Sequence, residues 1–310
     1  MSTAFVFPGQ GAQTIGMGHD LAQAYPAAKA VFDEVDEALG QNLSALIREG
    51  DIAELTLTEN AQPALMATSI AALRALEAEG IDITRASFVA GHSLGEYAAL
   101  CAAGVFTLAD TARLLRTRGR AMQNAVPVGQ GAMAAILGLD AEAVDAVAQQ
   151  AAGGDVCQLA NENDPTQNVI SGTKAAVERA IDLAKAAGAK RALPLPVSAP
   201  FHCTLMQPAA DEMARALADI TLNAPAVPVV ANVTAQAVTD AGAIAGLLVD
   251  QVTGRVRWRA SVEWMVANGA TEFWEIGAGK ALSGMIRRIH KDAVLRNVGV
   301  AADVIAARDA

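Results

Sequence analysis

Strand-like and helix-like stretches alternate along most of this chain, and no other feature limits its fold so strongly. A short apolar run at 4–7 leads into the loop PGQGAQTIGMG, and helical pattern follows over 20–39. A second helix is predicted at 63–79, ended by Gly80. Next come an apolar strand at 86–90, a glycine-rich turn and a small-residue helix at 98–103. A long helix then starts at a T-x-x-D cap formed by Thr107 and Asp110. Past residue 199 the rhythm resumes: helix 204–219, strand 227–232, helical pattern over 240–268, strand 271–276, helix 279–290 and strand 293–298. Strands that take turns with helices form a mainly parallel sheet buried on both faces, so the fold class is α/β.

Residues 128–198 break the rhythm. They read as strand 131–139, helix 140–152, strand 155–161, turn ENDPT at 162–166, strand 167–172, helix 174–188 and strand 191–197. A β-α-β-β-α-β order is the ferredoxin-like split motif. The expected organisation is a large hydrolase-like α/β domain from 1–127 and 199–310, with a ferredoxin-like subdomain, 128–198, inserted in it.

Composition narrows the function. The net charge of −10 over 310 residues argues against nucleic acid, which wants a basic surface. An acidic partner would need a local basic patch, for which Lys190, Arg191, Arg255, Arg257, Arg287 and Arg288 are candidates. Cys101, Cys157 and Cys203 are far apart, with no CxxC spacing, which fits a reducing cytoplasm. The N-terminus lacks the basic stretch of a signal peptide, and no apolar run reaches the ~20 residues of a membrane span.

The turn Gly91-His92-Ser93-Leu94-Gly95 fits a nucleophile elbow between strand and helix. Small neighbours let the serine take strained backbone angles. The helix N-terminus behind it presents free N–H groups to an anion. Ser93 and Glu96 also fit a capping box, but a cap does not need glycine on both sides. A serine nucleophile needs a base, and the chain has four histidines. His92 adjoins Ser93 and is read as a buttress of the turn. His19 and His290 read as surface residues. His202 sits at the junction between insert and main domain, where sites concentrate, and is favoured as base.

The loop FPGQGAQ fails the dinucleotide and phosphate-loop patterns, but its glycines suit a backbone N–H aimed at a ligand oxygen. On a wheel of about 100° per residue, Arg113, Arg116 and Arg120 form a charged stripe read as solvated. Arg118 falls instead beside the apolar flank of Leu114 and Met122. There it needs either an acidic side chain or an anionic substrate, and the wheel leaves both open.

FPGQGAQ, TENAQPAL, GHSLGEYAAL, RTRGRAMQ, NENDPTQNVISG and SAPFH occur in this order. Together they resemble the malonyl-CoA:acyl carrier protein transacylase family, which includes acyltransferase domains of fatty acid and polyketide synthases. The likeness runs from FVFPGQGAQ to WEIGAGKALSGMIRRI, nearly the whole chain. It implies Ser93 as nucleophile, His202 as base, and the backbone N–H groups of Gln10 and Leu94 as oxyanion hole. It gives Arg118 the carboxylate of malonate and the carbonyl of Gln251 the orienting of the histidine. It places Asn163 as polar support near that histidine, and Phe201 matches the malonyl-type pattern. One departure is QVTGRVRW, where many relatives carry Asn-Pro.

The implied activity is malonyl transfer from coenzyme A to the phosphopantetheine thiol of acyl carrier protein, through a malonyl-serine, in support of fatty acid synthesis. It calls for no metal or other cofactor, no nucleic acid and no membrane, and for a monomer in the cytoplasm. The alternatives are a serine thioesterase or hydrolase of acyl-CoA, a trans-acting acyltransferase of a polyketide pathway, and a carrier-binding module with a vestigial site.

Overall fold

The structure is a computed structural model that describes residues 2–197 and 199–309. Ser198, the expected edge of the insert and the first residue of SAPFH, lies outside the described residues. The strands are β1 (Ser2–Phe7), β2 (Ala86–Gly91), β3 (Gly131–Leu137), β4 (Cys157–Asp164), β5 (Gln167–Thr173), β6 (Arg191–Pro194), β7 (Val229–Val230), β8 (Ala237–Val238), β9 (Ala270–Ile276) and β10 (Val294–Val298).

The large sheet has the order β10-β9-β1-β2-β7-β8. Neighbours pair in parallel as far as β7, and β8 closes the edge antiparallel. Side chains of β1 alternate between two cores. Phe5 and Phe7 pack with helices Pro26–Leu39, Thr58–Ala78, Leu94–Ala102 and Leu108–Asn124. Ala4 and Val6 pack with helices Trp258–Ala267 and Ala281–Ile289. Burial on both faces is why this strand reads as an unbroken apolar run. Parallel strands point their C-terminal ends the same way, so β1 and β2 both deliver their loops to the edge where Ser93 sits.

The second sheet, β4-β5-β3-β6, is antiparallel throughout, the strand order that a split β-α-β-β-α-β motif gives. Helices Ala141–Ala152 and Lys174–Ala186 cover one face. From the other face Met133, Ala160 and Val169 join the main core. The join is also stitched by polar bonds. Glu162 N–H donates to Val256 O at 2.9 Å, and Val256 N–H donates to Ala160 O at 2.8 Å. Arg255 bonds Glu162 at 2.7 Å and Asp145 at 2.9 Å.

Several boundaries differ from the sequence reading. The helix expected at 20–39 is two, His19–Ala24 and Pro26–Leu39, because the proline starts a new helix. The helix expected from Pro63 begins at Thr58, with Pro63 inside it. Burial nearly throughout that helix outweighs the one backbone bond the proline forfeits. ENDPT is mostly strand; only Pro165 and Thr166 turn. The pattern over 240–268 is two helices, Ala241–Thr253 and Trp258–Ala267, parted at Gly254–Arg257 by the stitch to β4. Helix Ala301–Arg308 and strand β8 had no sequence counterpart. Among the described residues no helix is long and apolar enough to cross a membrane.

Candidate active site

Ser93 stands between β2 and helix Leu94–Ala102 with φ 55° and ψ −113°. The turn closes on its own backbone. A Cβ on Gly91 would lie 1.9 Å from the carbonyl of Gly95, and one on Gly95 would lie 2.3 Å from Phe7 O. Only glycine fits either place, which is the physical content of G-x-S-x-G. The capping-box alternative fails. Ser93 makes no side-chain cap bond. Its N–H donates to Asn232 Oδ1 at 2.8 Å, and the Glu96 carboxylate accepts from other donors.

Ser93 Oγ lies 2.7 Å from His202 Nε2. His202 occupies a left-handed backbone position, φ 58°, between β6 and the short turn Thr204–Met206. Its Nδ1 faces the carbonyls of Gln251 at 2.9 Å and Gly254 at 3.2 Å. Both are acceptors, so the ring proton resides on Nδ1 and the Nε2 lone pair meets the serine hydroxyl. Burial first, and the Arg118 cation second, hold the imidazole pKa down at about 3. The ring is neutral at physiological pH.

Arg118 is almost fully enclosed, 1% exposed. Nη1 donates to Gln62 Oε1 at 2.8 Å; Nη2 donates to Gln251 Oε1 at 2.8 Å and to Ser93 Oγ at 3.2 Å. The guanidinium lies 5.6 Å from the ring centre of Tyr97. Among the described residues no carboxylate pairs with it directly; the nearest anion, Glu96, is reached through the Gln251 amide. Its helix sits close to helix Thr58–Ala78. A Cβ on Gly119 would lie 2.6 Å from Glu59 Cα, and this approach brings Gln62 within reach. The stripe expected to be solvated is only partly so. Arg113 and Arg120 are exposed, but Arg116 is buried and donates to Asn60 Oδ1 at 2.7 Å.

The other predicted residues divide. The Gln251 carbonyl accepts from His202 Nδ1, and the altered loop before Trp258 does not disturb that bond. Asn163 bonds the histidine beside the serine: its Oδ1 lies 2.8 Å from His92 Nε2. With Trp258 against its ring, His92 braces the turn from the side of β4. Gln10 is exposed in the loop after β1, its side chain 3.3 Å from Thr58 Oγ1. That loop and the serine turn are in contact, since Gly95 packs on Phe7 O and Pro8 O. The Cys203 thiol is buried and donates to Pro200 O at 3.2 Å, away from the serine. Of the expected basic patch, Arg255 is tied to Glu162 and Asp145, and Arg288 to Asp164.

The sequence reading missed Gln62, Glu96, Asn232, Gly254 and the side chain of Gln251. Gln62 and Glu96 lie inside the quoted motifs TENAQPAL and GHSLGEYAAL, which was the available signal. Among the described residues no group of three His, Cys, Asp or Glu is placed to hold a metal ion. The arrangement can deprotonate a hydroxyl beside a fixed cation, the first step of acyl transfer from an ester or thioester.

Comparisons agree with that chemistry. An acyl transferase domain model matches residues 4–241. A malonyl CoA-acyl carrier protein transacylase of Escherichia coli (strain K12) is 51% identical over 286 residues, which span 92% of this chain and 92% of the relative. Among solved structures, an acyl-carrier-protein-S-malonyltransferase from Bartonella henselae superposes with a TM-score of 0.97 at 55% identity, over 99% of this chain and 98% of the other. A malonyl-transacylase solved in complex with its type II PKS acyl-carrier protein also reaches 0.97, at 45% identity, over 100% and 97% of the two chains.

Proposed function

Because the chain belongs to the acyl transferase family of malonyl CoA-acyl carrier protein transacylases, we propose that it moves malonyl from coenzyme A to the phosphopantetheine thiol of an acyl carrier protein. One observation carries the malonyl reading: an enclosed guanidinium, 3.2 Å from the Ser93 hydroxyl oxygen, bonded among the described residues only to neutral acceptors. A carboxylate one methylene away from the reacting carbonyl would reach it and give it an anion.

His202 Nε2 takes the proton of Ser93 as Oγ attacks the thioester carbonyl. Backbone N–H groups of Gln10 and Leu94 receive the oxyanion, assisted by the positive end of helix Leu94–Ala102. The Gln251 and Gly254 carbonyls support the imidazolium in place of a third acidic residue. As the carbon–sulfur bond breaks, the coenzyme A sulfur takes that proton and leaves malonyl on Ser93. The carrier thiol then gives its proton to His202, attacks the malonyl-serine carbonyl, and the proton returns to Ser93 Oγ. All these groups come from one chain, so the reading needs no second copy. It needs no metal or other cofactor and suits a cytoplasmic enzyme of fatty acid synthesis. Residues 128–198 act in it as an inserted ferredoxin-like subdomain whose β4 braces His92 through Asn163.

The test is incubation with labelled malonyl-CoA, with and without carrier protein. Label that stays on the protein and moves to carrier supports transfer. Rapid release of free malonate would make the chain a hydrolase, and absence of label would make it a binding module.

A further inference from the structure

Among the described residues no cation bonds the buried Glu96 carboxylate directly. Of the other enclosed acids, Glu162, Asp164 and Glu272 hold arginines, and Glu275 accepts the N–H groups of Leu282 and Ser283 at a helix start. Glu96 lies one turn beneath Ser93. Its Oε2 accepts from Gln251 Nε2 at 2.7 Å and from Asn232 N–H at 3.1 Å. The second hydrogen of Gln251 Nε2 goes to Ser93 O at 3.0 Å. A carboxylate and a carbonyl can only accept, so the Gln251 nitrogen must face them and its oxygen must face Arg118 Nη2. A reversed amide would set N–H against guanidinium. Asn232 carries the same hold to the turn itself, through Ser93 N–H at 2.8 Å and Gly91 O at 2.7 Å.

We propose that Glu96 is a positioning residue for acyl selectivity: it locks the Gln251 amide and thereby holds Arg118 in the geometry that accepts a carboxylate. It touches neither substrate nor reacting atoms. The inference rests on the malonyl-transfer reading.

The experiment compares malonyl-CoA and acetyl-CoA in forming the acyl-enzyme, for the wild type and for Glu96→Ala, Glu96→Asp and Glu96→Gln. Absence of a malonyl preference in the wild type overturns the transfer reading and this inference with it. With that preference present, Glu96→Ala should lose about tenfold or more of it, a typical loss for a charge-assisted contact, while acetyl loading changes by less than about threefold. Glu96→Asp draws the carboxylate back from Gln251 and should also lower the preference, so it decides the matter if Glu96→Ala does not fold. Glu96→Gln keeps an acceptor for Gln251 and should recover most of the preference. An undiminished preference in Glu96→Ala or Glu96→Asp overturns the inference alone. So does an equal fall with both substrates, the mark of a purely structural acid.

Discussion

Ser93 and His202 both hold backbone angles in the left-handed region, φ 55° and 58°, yet the chain braces them by opposite means. Ser93 is braced by what its neighbours lack. Gly91 and Gly95 give up their side chains so that the turn can fold onto itself and onto the end of β1. His202 is braced by what distant residues supply, the carbonyls of Gln251 and Gly254 on its ring. Local punctuation therefore marks Ser93 in the sequence, while His202 is marked only by where the fold brings it. Arg118 lies between the two, bonded to the serine oxygen and lowering the basicity of the imidazole.

The comparison can be broken most sharply at Ser93. Ser93→Ala should abolish the acyl-enzyme while changing stability by only about 1 kcal/mol, since the hydroxyl caps no helix. A malonyl adduct found on this variant by intact mass would remove Ser93 from the role. Next in size, His202→Ala should slow acylation by roughly two to four powers of ten, whereas His290→Ala should not. The reverse pattern in rapid-quench rates would move the base to His290.

Arg118→Ala tests the group between them. Loss of a charge-assisted contact should lower malonyl transfer by about 10- to 100-fold and leave acetyl transfer little changed. A stable variant that keeps its malonyl preference would remove Arg118 from the role of binding the carboxylate. Melting temperatures on the same preparation separate this from a general loss of fold.

Acid should expose the difference more gently. The folded state holds the His202 pKa near 3, below its usual 6.5, because the charged ring is buried beside Arg118. Its contribution to stability is therefore present above pH 6.5 and is lost as pH falls toward 3. Glu96 has the opposite sign: burial raises it from 4.5 to about 7, so its contribution is present below pH 4.5 and is lost as pH rises through 7. His202→Ala should lose less stability than the wild type between pH 6.5 and 4 in denaturant titrations; parallel curves would contradict the assignment. The smallest effect concerns the backbone alone. Ser93→Gly and His202→Gly should each be about 1 kcal/mol more stable than the matching alanine variants, because glycine relieves the left-handed position. Equal midpoints would show that the strain is borne elsewhere.

These contrasts explain what could be read without coordinates. β1, β2 and the elbow were legible because burial on two faces and glycine at a closing turn leave local signatures. The helical wheel placed Arg118 correctly because helix Leu108–Asn124 is regular. The same wheel misread Arg116, since it cannot see Asn60 on the neighbouring helix. The bond from Asn163 to His92 was not legible for a similar reason: it depends on how the second sheet docks. Glu96 meets Asn232 across a separation of 136 residues and Gln251 across 155, and no local pattern carries such register.

The close approach at Gly119 has a thermodynamic consequence. Two helices that touch through backbone cannot drift together by rotamer changes, so Gln62 meets Arg118 at a fixed separation. Free in solution, an arginine side chain has about 2 kcal/mol of rotamer entropy to lose. Here that freedom is surrendered when the chain folds, before any acyl group arrives. On the malonyl-transfer reading proposed above, an entering carboxylate would meet a side chain already ordered by Gln62 and Gln251, and its binding would not be opposed by the cost of that ordering.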